Sequence, residues 1–274
     1  MAIALSAISL PASAAAQGTT STGQGEYIIR AAGCVACHTD TENNGEHLAG
    51  GVAFETAFGT FYSPNITSDP EAGIGSWSKQ DFTNALTRGI GPGEKHYYPV
   101  FPYTSYVGMK LDDINALFDY LQSIPASSAT NRQHKLPWYL QNRLINWLWK
   151  MMFFFPFEAP ADRGEYLVKA LGHCDQCHTP RNFAGAINAD LHLTGTKDGP
   201  DGDPVPNITP DKESGIGKWG RKSLARYLRS GELPDGDFAG GLMVDVIDDG
   251  LSYLNQDDIA ALVDYLKRLN PVKN

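Results

Sequence analysis

Apolar positions recur at helical spacing near the end of each half of the chain. Ile114, Leu117, Phe118 and Leu121 fall on one face of a helix, and Ile259, Leu262, Val263 and Leu266 repeat that face. Both runs open on an aspartate pair, Asp112–Asp113 or Asp257–Asp258, which reads as an Asp cap. Shorter helices are expected at about 22–34 and 162–174, each with one aromatic, Tyr27 or Tyr166. Ser78 with Asp81 three residues on predicts a capped helix over 79–88 stopped by Gly89; its counterpart is about 221–230, stopped by Gly231. No alternating run is long enough for a substantial strand, so the expected fold is mainly α.

These elements are copies. Gly25–Gly33 matches Gly164–Gly172, Pro64–Thr67 matches Pro206–Thr209, and Gly73–Trp77 matches Gly215–Trp219. The two terminal helices complete the set in the same order. Four ordered blocks imply a duplicated unit, two tandem domains over residues 18–130 and 161–274.

Residues 131–160 lie between the copies as an aromatic-rich linker helix. Leu140, Leu144, Trp147, Leu148, Met151, Met152 and Phe155 follow helical spacing, while Asn142, Arg143, Asn146 and Lys150 occupy the rest of the wheel. Those polar residues spoil a membrane span, which needs about 20 largely apolar residues. Two readings stand: a helix packed on both domains, or a surface (136–157) for a partner subunit or the membrane interface.

Each copy also carries one chemical motif, Cys34-Val35-Ala36-Cys37-His38 and Cys174-Asp175-Gln176-Cys177-His178. Two thiols one helical turn apart can form thioethers to the two vinyl groups of one c-type haem, and the adjacent histidine can bind its iron. A single motif could also be half a zinc site or a redox dithiol; two motifs that use all 4 cysteines favour two covalently bound c-type haems. His173 precedes the second motif as one extra residue relative to the first copy.

With His38 and His178 as proximal ligands, a methionine thioether on the opposite side would close each iron. Of the 5 methionines, Met1 lies in the leader and Met151 and Met152 in the linker, which leaves Met109 and Met243. The two are not equivalent in a gapless alignment of the copies, so His96 is a rival ligand in the first. His47, His134 and His192 read as surface or loop residues. Asn65 and Trp77, with Asn207 and Trp219, recur in both copies and suit the propionate side of a haem; a repeated Trp can equally be core.

Composition adds limits. A chain of 274 residues with 42% hydrophobic and 19% charged residues is globular and long enough for two domains. Its net charge of −9 excludes a phosphate-binding surface for nucleic acid. It suits a basic patch on a partner, or simply keeps the protein in solution. Met1–Ala16 is apolar and ends in small residues, as a signal peptide does before its cleavage site, which agrees with haem attachment outside the cytoplasm, in the periplasm.

With these motifs, Pro-Asn-Ile-Thr and the run Gly172–Asn182 in view, the chain resembles the diheme cytochromes c related to the cytochrome subunits of periplasmic alcohol, aldehyde and gluconate dehydrogenases. The resemblance covers nearly all of the mature chain. It implies two His/Met cytochrome c folds that pass electrons from a dehydrogenase catalytic subunit towards the quinone pool or an oxidase. Many relatives have Ala-Met-Pro-Tyr where this chain has Val100-Phe101-Pro102-Tyr103, which makes Met109 the substitute ligand. An electron carrier is the leading reading. A diheme enzyme, such as a peroxidase or thiosulfate dehydrogenase with one open or unusually ligated iron, is the other.

Overall fold

In a computed structural model, which describes residues 21–157 and 159–274, α1 (Ser21–Ala31) leads through a two-residue turn, with Gly33 left-handed at φ 64°, into α2 (Cys34–His38), the first Cys-x-x-Cys-His turn. The expected signal peptide, residues 1–16, lies outside the described residues. A hairpin follows, β1 (Ala53–Thr56) antiparallel to β2 (Gly59–Tyr62). Next come α3 (Lys79–Arg88), a short pair β3 (Ile90–Gly91) and β4 (Lys95–His96), α4 (Tyr103–Tyr106) and α5 (Leu111–Ser123). α6 (Arg143–Phe153) occupies the linker. The second half holds α7 (Arg163–Glu165), which widens into a π-helix over Tyr166–Leu171, then α8 (Asp175–His178), α9 (Arg221–Ser230), α10 (Leu242–Asp248) and α11 (Gln256–Arg268).

The expected helix limits at 79–88 and 221–230 agree with the structure. Ser78 and Asp81 form a reciprocal capping box, and Gly89 and Gly231 end the two helices in the left-handed region at φ 59° and 73°. The terminal helices start differently from expectation. Their caps are Lys110 and Asn255, and the aspartates sit inside the first turn. The two small hairpins were not legible as strands, since β1 and β2 span four residues each and β3 and β4 two.

In both halves the first helix crosses the last at a glycine. A Cβ on Gly25 would lie 2.2 Å from the Ala116 carbonyl oxygen, and one on Gly164 2.3 Å from that of Ala261. Any side chain there would push the crossing apart. The predicted faces of α5 and α11 are buried, and the buried apolar residues of both halves form one contiguous core.

α6 is turned inside out. Asn146 and Lys150 are only 4% and 8% exposed, whereas Met151 and Phe155 are 65% and 73% exposed, with Leu144, Trp147, Leu148 and Met152 also outward. The inward Lys150 Nζ donates to the carbonyls of Arg88 (2.7 Å) and Gly89 (2.5 Å), at the C-terminal end of α3, and approaches His96 Nδ1 at 3.2 Å. A cation here meets the negative end of the helix dipole and its unpaired carbonyls. On the other side, Trp149 Nε1 donates to the Ala184 carbonyl at 2.8 Å, so α6 touches both halves. Replacing Lys150 with Met is expected to cost about 2 kcal/mol, because hydrogen bonds to a charged group contribute about 1.5–3 kcal/mol. Denaturant titration of the holoprotein measures it.

Candidate haem sites

Two backbone loops of one design hold the motif histidines. The His38 carbonyl accepts from Gly50 N–H (2.8 Å), and the His178 carbonyl from Gly195 N–H (2.7 Å). Thr39 Oγ1 accepts from Leu48 N–H at 3.1 Å and Thr179 Oγ1 from Leu193 N–H at 3.0 Å. Leu48 and Leu193, both fully buried, bring the loops back to Ile66 and Ile208.

Each imidazole is oriented through one ring nitrogen. His38 Nδ1–H donates to the Pro64 carbonyl at 2.7 Å, and His178 Nδ1–H to that of Pro206 at 2.8 Å. A carbonyl can only accept, so Nδ1 carries the proton and Nε2 keeps its lone pair, as a metal-binding histidine requires. Burial lowers the pKa of both histidines, against the opposing pull of those carbonyls, which favours the neutral ring.

None of the four cysteines is in a disulfide, and all are half-buried. Burial, then Cys37, pushes Cys34 up to about 12; burial, then Cys177, pushes Cys37 up to about 11. Cys174 is pushed up to about 12 by burial, then Asp175, and Cys177 is raised chiefly by burial. A redox dithiol stabilises a thiolate, whereas burial here raises all four thiols. Half-buried thiols one turn apart beside a neutral, oriented imidazole fit covalent haem.

The structure places the two methionines in unlike settings. Tyr97 N–H reaches the Gly89 carbonyl and Ala239 N–H reaches that of Gly231, both at 2.8 Å. Counting four residues on from each, Phe101 stands where Met243 stands. Counting back from the helix caps Lys110 and Asn255, Met109 corresponds to the buried Leu254. Met109 is 7% exposed in the core, on the turn between α4 and α5, while Met243 is half-buried at the start of α10 and packs against the same core. His96 Nδ1 faces Lys150, and its carbonyl accepts from Arg143 at 2.9 Å.

Asn65 and Asn207 are buried with their amides committed to the protein. Asn65 Nδ2 donates to the carbonyls of Ser127 (2.8 Å) and Ala129 (3.1 Å), and Oδ1 accepts from Thr67 N–H. Asn207 Nδ2 donates to the Val272 carbonyl at 2.8 Å, and Oδ1 accepts from Thr209 N–H. Each pins the chain that follows a terminal helix onto its haem loop. Trp77 and Trp219 are half-buried against the core, Trp219 edge-on to Tyr227. His134 is structural: Nδ1 accepts from Tyr62 N–H at 3.2 Å and the ring packs on Phe61 and Tyr98.

Sequence reasoning missed an exchange between the halves. Tyr27 OH donates to Asp258 Oδ2 and Tyr166 OH to Asp113 Oδ2, each at 2.5 Å. Each hydroxyl also accepts, at 3.2 Å, from the cap N–H of the other half's terminal helix, Asn255 or Lys110. Arg163 completes Asp258, and Gln24, its counterpart, completes Asp113. The signal was present, because all four residues lie at matched positions in the repeat.

Two oriented histidines, each beside a pair of thiols, define a protein of the c-type cytochrome class. The cytochrome c family matches residues 23–125. The chain belongs to the diheme c-type cytochromes and carries two covalently bound c-type haems. It is 38% identical over 265 residues to the diheme cytochrome c-type protein of Cereibacter sphaeroides, covering 93% of this chain and 88% of that one. It is 37% identical to the gluconate 2-dehydrogenase cytochrome c subunit of Pantoea cypripedii, over 90% of this chain and 59% of the relative. To the cytochrome c subunit of alcohol dehydrogenase (quinone) from Gluconobacter oxydans it is 33% identical, over 91% and 55%. The chain thus spans somewhat more than half the length of these two dehydrogenase subunits. Among the described residues, no helix is long and apolar enough to cross a membrane.

Proposed function

We propose that this chain relays single electrons in the periplasm, from the catalytic subunit of a partner dehydrogenase towards a quinone-linked complex or an oxidase. Two cytochrome c domains, 18–130 and 161–274, would each hold one haem, with 131–160 as the linker. Bound haem supplies an iron that cycles between iron(II) and iron(III). The protein's part is to hold it: Cys34, Cys37, Cys174 and Cys177 anchor the ring, and His38 and His178 bind through Nε2. Met109 and Met243 would supply the second protein ligand of each iron. The observation that carries this reading is the repeated Nδ1–carbonyl bond, which presents a neutral imidazole twice, with one core-packed methionine per half. The engagement of His96 by Lys150 favours Met109 over His96. Asn65 and Asn207 hold the haem loops from behind, while Trp77 and Trp219 are assigned to the haem side. The outward apolar face of α6 supports contact with the partner or with a membrane surface, as an interfacial helix with aromatic anchors makes.

The test is carbon monoxide binding to the reduced holoprotein, with near-infrared absorbance of the oxidised form. Two sulfur-ligated irons that take up no carbon monoxide are expected, together with reduction by a dehydrogenase catalytic subunit and no alcohol or aldehyde turnover by the chain alone. A readily carbonylated, five-coordinate iron would favour the peroxidase-type enzyme instead.

A further inference from the structure

The helix before the second haem motif absorbs an insertion. α1 stays α-helical to Ala31, with Ala32 N–H on the Ile28 carbonyl at 2.8 Å. In the second half, Gly172 N–H reaches back to the Leu167 carbonyl (2.7 Å) and Cys174 N–H to that of Val168 (3.0 Å). The widened turn accommodates the extra residue, His173, and such turns gather at functional positions. His173 leaves it at φ +36°, near the left-handed region that residues with a Cβ seldom adopt.

This backbone lays the imidazole against the approach to the other motif. The ring stands edge-on to Tyr106, with centroids 5.4 Å apart at 77°. Its Nε2 would lie 3.7 Å from a Cβ on Gly33, the residue immediately before Cys34. Tyr106 OH donates to the Ala32 carbonyl at 2.7 Å, closing the triangle. The variable residues of the second motif reach the same element: Gln176 Nε2 donates to Ser105 Oγ (2.7 Å) and Thr104 Oγ1 (3.2 Å) on α4, and Ser105 Oγ donates to Asp175 Oδ1 (3.3 Å). Arg181 fixes Gln176 by donating to its Oε1 at 2.8 Å. The second motif therefore grips the first half through its own sequence, and His173 packs against Gly33, the residue that leads into the first motif.

We propose that His173 is a positioning residue that sets the separation of the two haem-attachment loops, and so the rate at which an electron passes between the two haems of this chain. The inference deepens the relay reading and rests on it. The step moves one electron from iron(II) to iron(III) and makes or breaks no bond.

The test compares His173→Asn, which tolerates the left-handed backbone but lacks the ring, with His173→Phe, which restores a ring against Tyr106. Tyr27→Phe serves as a control, because it weakens the contact between halves at a distance from both motifs. In each holoprotein, mass and visible absorbance give haem number and ligation, and internal electron equilibration is followed after flash reduction by a ruthenium photoreductant. His173→Asn should keep both haems and their absorbance while internal transfer slows severalfold, because electron tunnelling falls off exponentially with the separation of donor and acceptor. His173→Phe should recover most of the rate, and Tyr27→Phe should leave it unchanged. An unchanged rate in His173→Asn, equal slowing in Tyr27→Phe, or loss of a haem from the Asn variant would each overturn the proposal. Failure of the relay reading shows separately, in the wild-type protein, as fewer than two haems or a five-coordinate iron, and would take this proposal with it.

Discussion

Asp258→Ala is expected to destabilise the holoprotein by about 1.5–3 kcal/mol, the contribution of hydrogen bonds to a buried charged group. Asp258 is buried, yet both carboxylate oxygens are used: Arg163 donates to them at 2.8 and 2.6 Å and Tyr27 donates at 2.5 Å. Truncation would deprive the Tyr27 hydroxyl and the partly exposed Arg163 guanidinium of their shared acceptor, and would loosen the N-terminal turn of α11. The pH response follows from the same contacts. Burial alone would raise this carboxyl, but the hydrogen bonds from Arg163 and Tyr27 outweigh it and hold its pKa below the ordinary value. A carboxyl depressed in the fold stabilises fully above its unfolded pKa of about 3.9, and that stabilisation fades as pH falls through the folded value. Denaturant midpoints measured from pH 7 down to pH 3 should therefore fall more steeply for wild type than for Asp258→Asn, which has no charge to lose. Parallel curves would contradict the assignment.

Met109→Ala is expected to combine two losses. Truncating a buried methionine removes about 2–5 kcal/mol through lost contacts and the cavity left behind. On the proposed ligation it also removes the thioether from one iron. Roughly half of the near-infrared sulfur-to-iron(III) absorbance should then disappear. One midpoint in a potentiometric titration should fall by on the order of 100 mV, a fraction of the ~0.8 V range that axial ligands command. His96→Ala should leave both unchanged. If His96→Ala moved the potential and Met109→Ala did not, bis-histidine ligation would take its place.

The residues that announce themselves in the chain are those whose role is local. The Ser78 and Asp81 box, the left-handed Gly89 and Gly231, and the Cys-x-x-Cys-His turns depend on neighbours a few positions away, so spacing alone exposes them. The apolar faces of α5 and α11 were legible for the same reason. What could not be read was set by distant partners. Asp113 and Asp258 look like ordinary first-turn acids until a tyrosine from the opposite half appears beside each. In α6 the periodicity located the helix but not its orientation, because a lysine facing inward is decided by the carbonyls of Arg88 and Gly89. The π-turn before Cys174 left one trace, a single surplus residue between matched blocks.

The crossed bonds of Tyr27 and Tyr166 also bear on how the molecule comes apart. Each half borrows from its neighbour the hydroxyl that closes the start of its own last helix, so neither owns a finished lid for its core. Melting one half strips the other of that closure. Unfolding of the two halves is therefore expected to be coupled, and calorimetry of the holoprotein should show one transition where independent halves would show two.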